Sequence, residues 1–171
     1  MHKSFLRRIR SAFEYEGAVR QMIRDAKYSG RARVLRFFAE KLLPVAFTEF
    51  PRIDAIVPVP LHRNREWDRH FNQAELIARD LSLYSGIPAW NALRKIKPTM
   101  PQSSLKGSAR RRNLRGAFDA INVATVPYTV LLIDDVITTG ATLEECARVL
   151  RASGVHRVFA LTVARAVLRT S

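Results

Sequence analysis

The 171-residue sequence is poor in several features that would each suggest a function. It has one cysteine, Cys146, so no internal disulfide can form and no multi-cysteine zinc site can be assembled. Its four histidines, His2, His62, His70 and His156, show no i, i+4 pair or other metal-ligand spacing. The seven glycines form neither GxGxxG nor GxxxxGK[ST], so two common nucleotide-phosphate signatures are missing. No apolar run is long enough to cross a bilayer, and no secretory apolar region follows the basic start MHKSFLRRIR. A soluble, cytoplasmic protein is expected. Acidic residues are scarce, 15 against 29 Lys and Arg, which leaves a formal net charge of +14. Such an excess favours polyanions, whether nucleic acid, phosphorylated substrates or acidic partners.

What is present is a chain of single-domain length with ordinary apolar content, and one stretch that organises the rest. VLLIDDVITTGAT, residues 130–142, reads as a strand buried on both faces that ends at two carboxylates, Asp134 and Asp135. Thr138, Thr139, Gly140, Ala141 and Thr142 follow, all small. Residues 143–152 then have helical periodicity, and Thr142 with Glu145 fits a capping box. A helix N-terminus presents backbone N–H groups and the positive end of a dipole, which suit a phosphate. Small residues let the backbone approach it, and hydroxyls add donors. The upstream carboxylates suit sugar hydroxyls or a hard cation such as magnesium. A ribose 5-phosphate unit offers both features. An ordinary strand–loop–helix connection would explain a lone Asp-Asp but not the whole string. A magnesium-phosphoryl site of the DxDx[TV] kind lacks its spacing here.

The rest of the chain predicts a mostly parallel α/β sheet flanked by helices, with 1–50 as a helical N-terminal part and 51–171 as the core. Residues 1–14 are basic, weakly patterned and expected to be helical. Residues 15–27 and 32–43 have helical spacing, with Pro44 and Pro51 bracketing the second exit. IDAIVPV at 53–59 is a strand, and 74–83 a helix. The order at 53–83 repeats that at 130–152. Ligands gather at the carboxyl ends of parallel strands. Residues 60–69 and 134–142 therefore share a rim if the two strands are neighbours. Further strands are expected at 90–96, 116–120 and 158–163, with Gly154 capping the last helix. The intervening stretch 97–115, KPTMPQSSLKGSARRRNLR, is long, basic and irregular, as expected of an active-site lid.

The 130–142 string resembles the phosphoribosyl pyrophosphate (PRPP) signature of type I phosphoribosyltransferases. Three further blocks narrow the resemblance. They are Tyr15-x-Gly17-x-x-Arg20 with Ile23 and Lys27-Tyr28-x-Gly30; Val57-Pro58-Val59-Pro60-Leu61 with Arg69-His70-Phe71-Asn72-Gln73-Ala74; and Gln102-x-x-Leu105-x-x-x-x-Arg110-x-x-Asn113 with Gly116-Ala117-Phe118. Together, from Tyr15 onward, these resemble the ComF/GntX family of phosphoribosyltransferase-like proteins, associated with bacterial DNA uptake. Many members begin with a four-cysteine zinc ribbon, which one cysteine cannot supply, and carry Gly where His70 stands.

The resemblance implies magnesium-dependent transfer of ribose 5-phosphate from PRPP to a nitrogen acceptor. Asp134 and Asp135 would hold the ribose hydroxyls and stabilise charge at its C1. Residues Thr138, Thr139, Gly140, Ala141 and Thr142 would hold the 5-phosphate. Pro60, Leu61, Arg63 and Arg69 would meet the pyrophosphate, with Lys27, Gln102 and Arg110 adding polar or positive groups. Magnesium would be held mainly by the ligand. The alternative is a non-catalytic adaptor for PRPP or nucleotide sensing or for DNA uptake. Its partners would be single-stranded DNA or DNA-uptake proteins, met through Arg110, Arg111 and Arg112 with Trp67 and Phe71 as stacking aromatics. A dimer is compatible with either.

Overall fold

The computed structural model describes residues 4–29, 32–61, 71–97, 113–121 and 125–166, and the side chains of all of these except 27–29 and 32. The elements in chain order are β1 (Arg8–Glu14), α1 (Gly17–Ser29), α2 (Ala32–Glu49), β2 (Ala55–Pro58), α3 (Gln73–Ser85), β3 (Leu93–Lys95), β4 (Phe118–Ala120), β5 (Thr129–Ile137), α4 (Ala141–Ala152) and β6 (Arg157–Arg165). Four strands form one parallel sheet in the order β1-β6-β5-β2. β3 and β4 pair antiparallel as a separate hairpin. The expected type I phosphoribosyltransferase-like architecture is present.

β5 and β6 are the central strands, and their apolar residues divide between two cores. Val130, Leu132, Val158 and Ala160 pack under α4 with Leu93 and Phe118 of the hairpin. Leu131, Ile133, Phe159 and Leu161 pack under the other helices with Ile23, Phe38 and Ile77. A strand covered on both sides needs no polar alternation, which is why VLLI is continuous. Cys146 is fully buried in the first core and serves as a packing residue.

Several expected boundaries move. Residues 8–14 are a strand, not part of a helix. β1 is an edge strand whose Ile9 packs on one core and Phe13 on the other, while Arg8 and Arg10 pair with Glu49. Charged residues on an edge strand discourage further pairing, and here they also obscure the strand pattern. α2 runs through Pro44 to Glu49. Proline removes one helical bond, to the carbonyl of exposed Glu40, where water can replace it. Burial of Leu35, Phe38 and Leu42 holds the helix together past that break.

Candidate functional site

β2 and β5 are hydrogen-bonded parallel neighbours, in register from Ala55↔Val130 to Pro58↔Ile133. Their carboxyl ends therefore share one rim, the condition for the shared-rim expectation being met by this pairing. Val59 N–H donates to the Ile133 carbonyl at 2.9 Å, which leads half-buried Pro60 and Leu61 out beside the acidic pair.

The pair does not follow the strand's end but sits within it, because β5 continues to Ile137. Up to Ile133 the side chains alternate strictly between the two cores; beyond the pair the phase is reversed, with Val136 packed on the second core and Ile137 on the first. Asp134 and Asp135 span this reversal. Each carboxylate accepts from the next backbone N–H, Asp135 N to Asp134 Oδ1 at 2.9 Å and Val136 N to Asp135 Oδ1 at 2.7 Å. Both side chains are half-buried. Burial pushes the Cys146 thiol well up, and the negative charges of Asp134 and Glu145 push it further, against the opposing effect of Lys95.

The small-residue loop is compact. Thr138 and Thr139 are exposed, Thr142 is half-buried and Ala141 is nearly covered. Gly140 is the N-cap of α4, with φ +77° and no side-chain cap hydrogen bond. A left-handed cap of this kind favours glycine. A Cβ there would make only ordinary contacts, 3.5 Å from Ile137 Cδ1 and 4.0 Å from Ile9 Cδ1, so conformation rather than space selects it. The capping box expected from Thr142 and Glu145 does not form. Glu145 Oε1 instead accepts from Gly116 N–H at 2.8 Å, and both its oxygens pair with Arg148. Burial would raise Glu145, but those bonds and the charges of Arg148 and Arg115 outweigh it and hold the carboxyl below its usual range.

At the other loop on the rim, Asn72 was not singled out from the sequence as a structural residue. Its Oδ1 caps α3 by accepting from Ala74 N–H at 3.0 Å, and its Nδ2 donates to the Val59 carbonyl at 3.0 Å. One buried side chain so joins both ends of the loop after β2. Asparagine before a periodic helix is the signal that could have found it. Next to it, Gln73 Nε2 is buried without a hydrogen-bond partner, alone in this among the described side chains. Arg63, Arg69, Gln102 and Arg110 lie outside the described residues, as do Trp67, His70, Arg111 and Arg112. So does most of the stretch expected to be a lid. Lys27 falls on α1, with its side chain not described.

Among the described residues, no group of three or more His, Cys, Asp or Glu side chains could hold a metal. Two adjacent carboxylates fit a magnesium ion that keeps most of its shell on a ligand and water. No described helix is long and apolar enough to cross a membrane.

No protein-family model matches the chain. Competence protein F of Haemophilus influenzae is 43% identical over 116 residues, covering 66% of this chain and 51% of that protein. DNA utilization protein YhgH of Salmonella typhi is 30% identical over 158 residues, covering 88% of this chain and 69% of that one. The chain belongs to the ComF/GntX family. Another member, competence protein ComFC of Bacillus subtilis, is 31% identical over 150 residues, covering 87% of this chain and 60% of that one. The chain thus spans from about half to two thirds of these family members. Solved structures show the fold. The B. subtilis glutamine PRPP amidotransferase superposes with a TM-score of 0.50 at 22% identity, over 75% of this chain and 26% of that one. An adenine phosphoribosyltransferase from Leishmania donovani gives 0.50 at 14% identity, over 88% and 69%.

Proposed function

We propose that the chain binds PRPP and, with magnesium, transfers its ribose 5-phosphate to a nitrogen acceptor. The C1–oxygen bond to pyrophosphate breaks, a C1–nitrogen bond forms, and the acceptor's proton leaves to solvent or pyrophosphate. The observation that carries this reading is one junction. Two half-buried carboxylates within β5 lead within five residues to a helix start whose N-cap is a left-handed glycine.

In this reading the amide groups at the start of α4, with the hydroxyls of Thr138, Thr139 and Thr142, take the 5-phosphate, which the helix dipole favours. Asp134 and Asp135 accept from the ribose hydroxyls and so orient the sugar. Their negative charge, fixed by the backbone N–H groups of Asp135 and Val136, stabilises the positive charge that develops at C1. Pro60 and Leu61 bring the loop after β2 to the pyrophosphate side, where Arg63 and Arg69 would neutralise the leaving group. Lys27, Gln102 and Arg110 would add to that polar lining. Magnesium, held mainly by ligand oxygens with Asp134 and Asp135 nearby, would supply neutralisation of the departing pyrophosphate.

Calorimetric titration of PRPP with and without magnesium tests the binding, and a pyrophosphate-release screen across nitrogen acceptors tests the transfer. The expected results are saturable binding that needs magnesium and release with at least one acceptor. No heat of binding under either condition would defeat the reading.

A second reading, a DNA-uptake adaptor, draws on the relatives' names and on a surface at the opposite ends of the strands. Half-exposed Tyr128 stacks on His156 with ring centroids 4.5 Å apart and 10° between planes, and the Arg157 guanidinium lies 5.5 Å from the Tyr128 centroid. Cationic aromatic surfaces of this kind take single-stranded DNA in a salt-dependent way. Substituting Tyr128→Ala and His156→Ala together should weaken binding to an oligonucleotide at low salt. Unchanged binding would remove this surface from consideration.

A further inference from the structure

Glu145 stands one turn inside α4, where the sequence pattern assigns it to a local cap. The structure gives it a different partner. Its Oε1 accepts from the Gly116 N–H, 29 residues away in sequence, at 2.8 Å. The same oxygen accepts from Arg148 Nη2 at 2.8 Å, and Oε2 from Arg148 Nε at 3.0 Å. Both carboxylate oxygens are therefore fixed, and only the rotamer that faces Gly116 satisfies all three donors.

Gly116 stands two residues before β4. It has φ +67°, and the next residue, Ala117, donates to the Leu114 carbonyl and accepts from Ile96 N–H. A Cβ on Gly116 would stand 3.4 Å from Lys97 Nζ. The bond to Glu145 thus anchors the point where β3 and β4 close, with Lys95 on the anchored strand. On the other side of the same helix turn, Glu144 accepts from Phe5 N–H at 3.0 Å and from the Ser4 hydroxyl. Two consecutive glutamates so tie the first turn of α4 to two distant segments by charge-assisted bonds, which are the stronger kind.

We propose that Glu145 is a positioning residue for the PRPP site. By holding Gly116 it sets the β3–β4 pair against α4, the helix whose first residues take the 5-phosphate. Glu144 shares the load from the N-terminal segment. This rests on the PRPP reading above, and the ligand is PRPP itself.

The test compares Glu145→Ala, Glu145→Gln and Arg148→Ala in the full chain, by exchange of the Gly116 amide proton and by calorimetric titration with PRPP and magnesium. Glu145→Ala should speed Gly116 exchange and weaken PRPP roughly tenfold, the scale of one hydrogen bond to a charged group. Glu145→Gln keeps a carbonyl acceptor, so it should hold Gly116 protection and stay within about threefold of the unsubstituted affinity. Arg148→Ala, which leaves the Gly116 bond in place, should do the same. Faster Gly116 exchange in Glu145→Ala with unchanged PRPP affinity would overturn the positioning role and leave the PRPP reading standing. A tenfold loss in Glu145→Gln with Gly116 still protected would also overturn it, by showing that charge and not the clasp matters. Absence of PRPP binding by the unsubstituted protein would overturn the PRPP reading and this role with it. Should Glu145→Ala not fold, the Gln and Arg148 variants carry the decision.

Discussion

The chain uses one strand–loop–helix unit twice, side by side, and finishes the two helix starts differently. At β2–α3 the start is closed from within: buried Asn72 caps the helix and ties Val59 to it with the same amide. At β5–α4 the cap is a left-handed glycine with no side-chain bond, preceded by two carboxylates. The order of elements is shared, but the caps differ in backbone, extended at Asn72 and left-handed at Gly140, and in chemistry. A helix start capped by a buried side chain adds rigidity, whereas the α4 N-cap has no side chain and Ala141 N–H reaches Thr139 Oγ1 only at 3.5 Å. With the ligand at the α4 start, as proposed, the two starts separate stability from binding, and substitutions at each should move different quantities.

The largest effect is expected from Asp134→Asn with Asp135→Asn. Loss of two charged acceptors should weaken PRPP binding by roughly a hundredfold or more, with the far-ultraviolet spectrum unchanged. Unaltered affinity in the folded double variant would remove the acidic pair from the site. Next, Asn72→Ala should lower stability by about 2 kcal/mol, from a lost cap and a lost buried tether, as read by urea unfolding. It should leave ribose 5-phosphate affinity within about threefold, since the proposal places that group at the other start. Gly140→Ala reverses the balance. It should cost only about 1 kcal/mol of stability, for the left-handed φ, yet weaken ribose 5-phosphate more than Asn72→Ala does. Equal losses of affinity in the two variants would break the comparison.

The smallest effect concerns pH. The Glu145 carboxyl is held below its usual range despite its burial, by Arg148 and the Gly116 N–H. Its contribution to stability is then fully present above the ordinary glutamate value of about 4.3 and fades as pH falls through the depressed folded value. Unfolding midpoints across that acid window should fall less steeply for Glu145→Gln than for the unsubstituted chain. Identical slopes would show that the ion pair does not stabilise the fold.

Much of this contrast was legible in the sequence, for identifiable reasons. IDAIVPV and VLLIDD are short apolar runs bounded by prolines or carboxylates, so buried strands at β2 and β5 follow from pattern alone. Their adjacency was not fixed by the βα alternation; the pairing of β2 with β5 supplies it, and the shared rim with it. The N-terminal strand was hidden because RIRSAFE is only partly buried at a sheet edge, without clean alternation, and shows its arginines. Pro44 reads as a stop, yet the core contacts of α2 override it. The Thr142/Glu145 spacing is that of a reciprocal cap, and spacing cannot distinguish a local partner from Gly116, which only the folded chain brings near. Of the site, the carboxylates and the small loop were readable, whereas the phase reversal across Asp134 and Asp135 was not. It depends on how both cores fill beyond Ile133.

The most direct measurement is a titration of the isotope-labelled protein with ribose 5-phosphate, followed through the backbone amide resonances. The account predicts that the amides of Gly140, Ala141 and Thr142 shift in a saturable way, while those of Ala74 and Leu76 at the start of α3 stay in place. Saturable shifts at α3 with none at α4, or no shift at either, would contradict it.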